Sequence, residues 1–162
     1  MKLSDSKYAV FDTFAAESGR AAHLSGQVAA KLKEHTSALF SSDPSIKPVE
    51  VLASVVRPES ASTPVTVGLY VPLIAKPEHA EEVKEFLISI VPLVEAEPEA
   101  LQWCAFRKSE TEFGILDTAA GESEREAHLK GKVAEILKAK KDLLVARPNI
   151  QKCDILAAKV VV

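Results

Sequence analysis

Phe113-Gly114-Ile115-Leu116-Asp117-Thr118-Ala119-Ala120-Gly121-Glu122-Ser123-Glu124-Arg125-Glu126-Ala127-His128-Leu129-Lys130-Gly131 decides the fold, because it joins a strand to a helix and is written twice in the chain. Its other copy is Tyr8-Ala9-Val10-Phe11-Asp12-Thr13-Phe14-Ala15-Ala16-Glu17-Ser18-Gly19-Arg20-Ala21-Ala22-His23-Leu24-Ser25-Gly26. The match continues through Pro44-Ser45-Ile46 and Val51-Leu52-Ala53, against Pro148-Asn149-Ile150 and Ile155-Leu156-Ala157. The offset is 117 − 12 = 105 at the start and 155 − 51 = 104 at the end, so one residue is lost before the last strand. Repetition at a domain-sized period indicates duplication, since solenoid units are far shorter. Val65 to Glu110 has no second copy, which sets Met1 opposite Phe106 and Lys2 opposite Arg107. The first copy therefore starts in its middle, and Met1 is not expected to be the ancestral start.

Around that stretch the complete copy reads β-α-β-β-α-β. Val65-Thr66-Val67-Gly68-Leu69-Tyr70-Val71 alternates apolar with small or polar residues, the period-two mark of a strand. Pro77 opens a helix whose Val83, Phe86, Leu87, Ile90 and Val94 form one apolar stripe. Leu101 to Phe106 and Glu112 to Thr118 are two strands joined by the polar turn Lys108-Ser109-Glu110-Thr111, hence a hairpin. A second helix is predicted from about Glu122 to Leu144, burying Leu129, Val133, Ile136, Leu137 and Leu144, before a closing strand over Gln151 to Val162. This order is the α+β, ferredoxin-like plan, with an antiparallel sheet in spatial order 4-1-3-2 and both helices on one face. The half copy, residues 1–57, supplies only a third strand (Lys7 to Phe14), a helix (about Glu17 to Phe40) and a fourth strand (Lys47 to Val56). Residues 58–64, rich in Pro and Ser, read as a linker, and 65–162 as the complete unit. Without its central strand the half copy is expected to open more readily than the complete one.

Composition narrows the function. A formal net charge of −3 with interspersed Lys and Arg offers no basic stripe, which argues against nucleic acid and anionic membranes as partners. No apolar run reaches the length of a membrane span and Met1-Lys2-Leu3-Ser4-Asp5 turns polar at once, so the expected location is cytoplasmic. Cys104 and Cys153 stand apart, with no metal-ligand spacing, and read as reduced core thiols with no metal site. Gly-rich phosphate loops, a Gly-x-Ser-x-Gly elbow and His-Glu-x-x-His are all absent from the sequence.

The phrases Phe11-Asp12-Thr13-Phe14 … Arg20-Ala21-Ala22-His23-Leu24-Ser25-Gly26 and Leu116-Asp117-Thr118 … Arg125-Glu126-Ala127-His128-Leu129-Lys130-Gly131 resemble the antibiotic-biosynthesis-monooxygenase-like proteins of the dimeric α+β barrel superfamily. Val67-Gly68-Leu69-Tyr70-Val71 and Trp103-Cys104-Ala105-Phe106-Arg107 fit the same resemblance, which covers nearly the whole chain outside 58–64. It implies two sheets packed face to face, a cavity between each sheet and its helices, and a small-molecule ligand or substrate. It also implies cofactor-independent oxygenation or isomerisation of an aromatic or quinoid metabolite, with a homodimer formed through the sheet face. A non-catalytic ligand-binding or dimerisation module of the same fold is the alternative. Haem-degrading members hold iron through a histidine at the position of His128 and His23. They also carry an Asn in the first strand and a Trp in the third, where this chain has Thr66-Val67-Gly68-Leu69 and Ala119, so no haem is expected.

The candidate catalytic residues are His128 and Asp117, and the candidate substrate-binding residues are Thr66, Tyr70, Trp103 and Arg107. An imidazole titrates near neutrality and suits proton transfer. Projected at about 100° per residue, however, His128 falls roughly 130° from the centre of its helix's apolar stripe, so a structural role at the sheet–helix margin stays open. Asp117 before Thr118 also suits turn capping. Trp103 suits either stacking or core packing. Thr66 and Tyr70 share a strand face, and Arg107 is placed either to hold an anionic oxygen or to lie on the surface at a hairpin end.

Overall fold

A computed structural model describes residues 1–160. The chain separates into two compact units, one of residues 1–9 with the chain from Val49 onward, the other Val10–Pro48. The smaller unit holds helices α1 (Glu17–Leu24) and α2 (Gln27–Leu39), neither of which has a buried residue. The strand expected over Lys7 to Phe14 is not formed. Tyr8 makes one bridge to Lys2, Ala9 exchanges backbone hydrogen bonds with Met1 (3.0 and 2.8 Å), and residues 9–14 do not take up regular strand structure. A strand needs hydrogen-bonding neighbours, and local alternation cannot supply them.

The larger unit contains β1 (Glu50–Val56), β2 (Val67–Ile74), α3 (Ala80–Ser89), α4 (Val91–Ala96), β3 (Gln102–Arg107), β4 (Glu112–Ala119), α5 (Glu122–His128), α6 (Lys132–Ala139) and β5 (Gln151–Asp154). Its sheet runs β1-β3-β4-β2-β5. Removing β1 leaves the 4-1-3-2 order of the ferredoxin-like plan, and every pairing is antiparallel. The strand read as the end of the half copy thus adds to the free edge of the hairpin: β1 pairs with β3 from Glu50↔Arg107 to Val56↔Gln102. The closing strand is shorter than expected, ending at Asp154; Val161 and Val162 lie outside the described residues.

One sheet face and the helices make the core. Val71, Leu73, Trp103, Ala105, Phe113 and Ile115 project from the odd positions of the strands, against the predicted stripe Val83, Phe86, Leu87, Ile90 and Val94 and against Val133, Leu137 and Leu144. The second helix is not continuous as predicted. It breaks at Gly131, which caps α6 with extended backbone, and Lys141–Leu143 is a separate 3-10 turn. Residues 58–64 are not a free tether either, because Pro58–Ala61 is a 3-10 turn with Ser60 buried. Arg57 anchors that turn to the end of α4, donating from Nε to the Ala100 carbonyl (2.9 Å) and from Nη2 to those of Val94 (3.0 Å) and Glu97 (2.8 Å). Carbonyls at a helix C-terminus lack intrahelical partners, and a guanidinium satisfies several at once. Among the described residues no helix is long and apolar enough to cross a membrane.

Candidate functional site

Asp117 lies near the end of β4 and projects from the sheet toward the helices, buried with 6% of its surface exposed. His128 ends α5 and is equally buried at 5%. The 130° projection misplaced this imidazole because it assumed one continuous helix; once α5 and α6 are separate, their faces need not align. Nε2 of His128 stands 3.5 Å from Asp117 Oδ2, and Nδ1 stands 2.8 Å from Glu97 Oε2. The second is an ion-pair contact whose direction is off the line of a regular N–H···O hydrogen bond, since neither atom has such a partner.

Glu97 is the residue that sequence reasoning missed. Three local devices position it. Arg57 holds its carbonyl, the Val133 N–H at the start of α6 donates to its Oε1 at 3.0 Å, and Gly131 makes room for its carboxylate. A Cβ at residue 131 would stand 2.5 Å from Glu97 Oε1 and 2.7 Å from Cδ, closer than any side chain can approach. The available signal was the glycine three residues after the histidine, present in both copies.

Burial opposes charging His128, but the flanking carboxylates of Asp117 and Glu97 outweigh it and raise its pKa above the usual imidazole value. Burial also raises the pKa of Asp117, opposed by the imidazole and reinforced by the negative charge of Glu97. The cluster therefore keeps its protons to higher pH than its members would in water, and protonation of His128 between the two acidic side chains persists above the usual imidazole value.

Arg125, also unassigned beforehand, completes the surroundings. It is 8% exposed and donates from Nη1 to the carbonyls of Cys153 (3.0 Å) and Gly68 (3.3 Å), while Nη2 pairs with Glu122. Gly68, Asp117, Thr118, Arg125 and His128 line a cavity of about 10 Å³, room for roughly one water. Asp117 Oδ1, Thr118 Oγ1 and Arg125 Nε are buried without hydrogen-bond partners in this region. Among the described residues no group of three or more His, Cys, Asp and Glu side chains is arranged to hold a metal ion.

The structure brings His128 and Asp117 together but places the four predicted substrate-binding residues elsewhere. Trp103 is in the core at 1% exposure, its Nε1 unpartnered. Thr66 is exposed and donates to the Ala120 carbonyl at 2.6 Å. Tyr70, on the sheet face away from the helices, accepts a hydrogen bond from Lys108. Arg107 closes its hairpin turn, donating to the carbonyls of Ser109 (3.0 Å) and Glu110 (2.8 Å) and pairing with Glu81 (3.2 Å).

The chain matches no protein-family model and no curated protein. Solved structures do resemble it. A candidate monooxygenase from Lactobacillus acidophilus aligns with a TM-score of 0.69 at 11% identity, over 88% of this chain and 66% of that one. A second candidate monooxygenase, from Fusobacterium nucleatum, gives 0.59 at 13% identity, over 83% and 62%. These two share the fold. A protein of unknown function from Nitrosomonas europaea is 38% identical, with a TM-score of 0.58, over 60% of this chain and 96% of its own length. At that identity over nearly the whole of the Nitrosomonas protein, the chain belongs to the same family as it.

Proposed function

We propose that this chain is a small-molecule oxygenase of the antibiotic-biosynthesis-monooxygenase type, built from one complete unit and half of a second, acting without a cofactor on an anthrone-like or quinol substrate. The observation that carries the reading is the buried Asp117–His128–Glu97 cluster, of which Asp117 and His128 line one small cavity. Buried titratable groups with shifted pKa values beside a cavity are candidates for a functional site. In this reading Asp117, made more basic by burial, removes a proton from an activated methylene or phenol. Asp117 keeps that proton until the oxygenated intermediate takes it, while protonated His128 stabilises the substrate anion and Glu97 and Arg125 fix the charges around it. The substrate carbanion gives up electrons to oxygen. One oxygen atom becomes the new carbonyl and the other leaves as water, so the methylene supplies all four electrons that reduce O2 and no external reductant is needed.

The fold of the candidate monooxygenases supports the oxygenase class and leaves the substrate to experiment. Oxygen uptake with anthrone, comparing the wild type with His128→Gln, tests it. The expected result is stoichiometric uptake that the variant loses, whereas a wild type that neither consumes oxygen nor binds anthrone would remove the proposal. The cavity's size favours a second reading, a non-catalytic module, because about 10 Å³ is far below the roughly 300 Å³ or more of ordinary ligand sites. Self-association through the sheet belongs to the same proposal, but little surface is left for it. Cys104, Phe106 and Leu116 on the outer face are already buried within one chain, and Ile74, at 51%, is exposed.

A further inference from the structure

The cavity at Asp117 and His128 is too small for an organic substrate, and its wall is the wrong one for water. Leu69, Ala100 and Ala119, buried at 3%, 2% and 4% exposure, stand in that wall beside the polar side chains already named. Although Asp117 and His128 border it, the surface that the cavity presents is apolar throughout. A buried water needs roughly two to four hydrogen-bonding partners, and cavities with apolar walls stay dry.

The void is built into the backbone, because the small residues around it are pinned. The Ala100 carbonyl accepts from Arg57 Nε at 2.9 Å, and the next amide, Leu101 N–H, donates to the Thr118 carbonyl at 2.8 Å. On the other side the Ala119 carbonyl accepts from Thr66 N–H at 3.2 Å. Neither alanine is free to move in and close the gap, and an unfilled gap forfeits dispersion contacts along its lining. A small apolar guest restores those contacts and itself gains by leaving water.

We infer that this cavity is a binding site for molecular oxygen, walled by Leu69, Ala100 and Ala119 and set beside Asp117. The choice of oxygen among small apolar gases rests on the oxygenase reading, whereas the site itself stands on the size and apolarity of the cavity. Its position suits that use. In the proposed reaction the carbanion forms where Asp117 removes the proton, and oxygen held against the same residue starts next to the carbon it must reach. Binding here makes no covalent bond and moves no electron.

The test compares methyl NMR spectra of the full chain under oxygen and under nitrogen pressure. Oxygen is paramagnetic and nitrogen is not, so excess relaxation under oxygen reports where oxygen resides. It should be several-fold larger at the Ala100 and Ala119 methyls than at those of Ala75 and Ala105, which are as deeply buried at 1% and 0% exposure. Ala119→Val fills the space and should remove the excess at Ala100; Ala100→Val should do the same at Ala119 and serves if the first variant does not fold. Equal relaxation at all of these methyls overturns the inference, and so does a long-lived water detected by cross-relaxation with the Ala100 or Ala119 methyl protons. Anthrone-dependent oxygen uptake is scored separately. A local excess without uptake retains the site and removes the oxygenase reading, whereas uptake without a local excess removes the site and retains the reading.

Discussion

Replacing His128 with Gln tests the central cluster directly, because glutamine keeps a hydrogen-bonding side chain of similar reach and removes the charge. In the wild type the imidazolium lies 2.8 Å from Glu97 and 3.5 Å from Asp117, all three side chains being no more than 12% exposed. Removing one partner of a buried ion pair strands the other, at a cost of about 3–5 kcal/mol. For a chain of this size, each kcal/mol lowers the melting temperature by roughly 2–4 °C, so a drop of about 6–20 °C is expected. The pH dependence is more discriminating. His128 has a folded pKa above its unfolded value, so its contribution is complete below about pH 6.5 and is lost as pH rises through the folded pKa. Asp117 is also raised, so it likewise favours folding toward low pH in both proteins. The gap between wild type and variant should be narrower at about pH 9 than near about pH 6, because the wild-type imidazole loses its proton as pH rises through its raised pKa. Urea unfolding at the two pH values measures it. A gap that is the same at both, or below about 1 kcal/mol at the lower pH, would refute the imidazolium between carboxylates.

Two further outcomes follow from the same geometry. Gly131→Ala sets a methyl 2.5 Å from Glu97 Oε1 and should push that carboxylate off both Val133 N–H and His128, costing about 1–3 kcal/mol in urea unfolding. In a Glu97→Ala background it should cost almost nothing, and an equal cost there would show that the clash is not with Glu97. Burial pushes the Cys104 thiol up to about 11, with the charge of Asp117 adding to it, and burial likewise raises Cys153. Neither should react with a disulfide reagent in the native protein at about pH 8, although both should in urea; native labelling at the unfolded rate would contradict the packing.

What could be read from the sequence was whatever depends on neighbours along the chain. The alternation through β2 and β4 and the stripe from Val83 to Val94 place the right side chains in the core, and the hairpin turn falls where its polar residues put it. Duplication drew attention to Asp117 and His128, which the fold brings together. The residues it could not reveal act across the chain. Glu97 meets His128 from 31 positions away (128 − 97), and Arg57 reaches over 40 residues to the carbonyl of Glu97. The strand expected over Lys7 to Phe14 failed for the matching reason: a regular strand depends on pairing with backbone distant in sequence, which local alternation does not report. Tyr70 was assigned to the right strand, and Thr66 falls just before it, but both to the wrong surroundings, since a shared face does not say which face meets the cavity.

The balance between an enzyme and a bare scaffold turns on polar satisfaction. A fold kept only for packing gains nothing from a buried imidazole between two carboxylates, because apolar side chains of similar volume are as stable or more so. Nor does it gain from leaving Asp117 Oδ1, Thr118 Oγ1 and Arg125 Nε unpartnered, each at a desolvation cost of about 1–3 kcal/mol. The small cavity beside them is lined by apolar surface and does not relieve that cost. Retention of this polar cluster in a fold that does not need it for stability is the strongest physical reason to look for chemistry at His128.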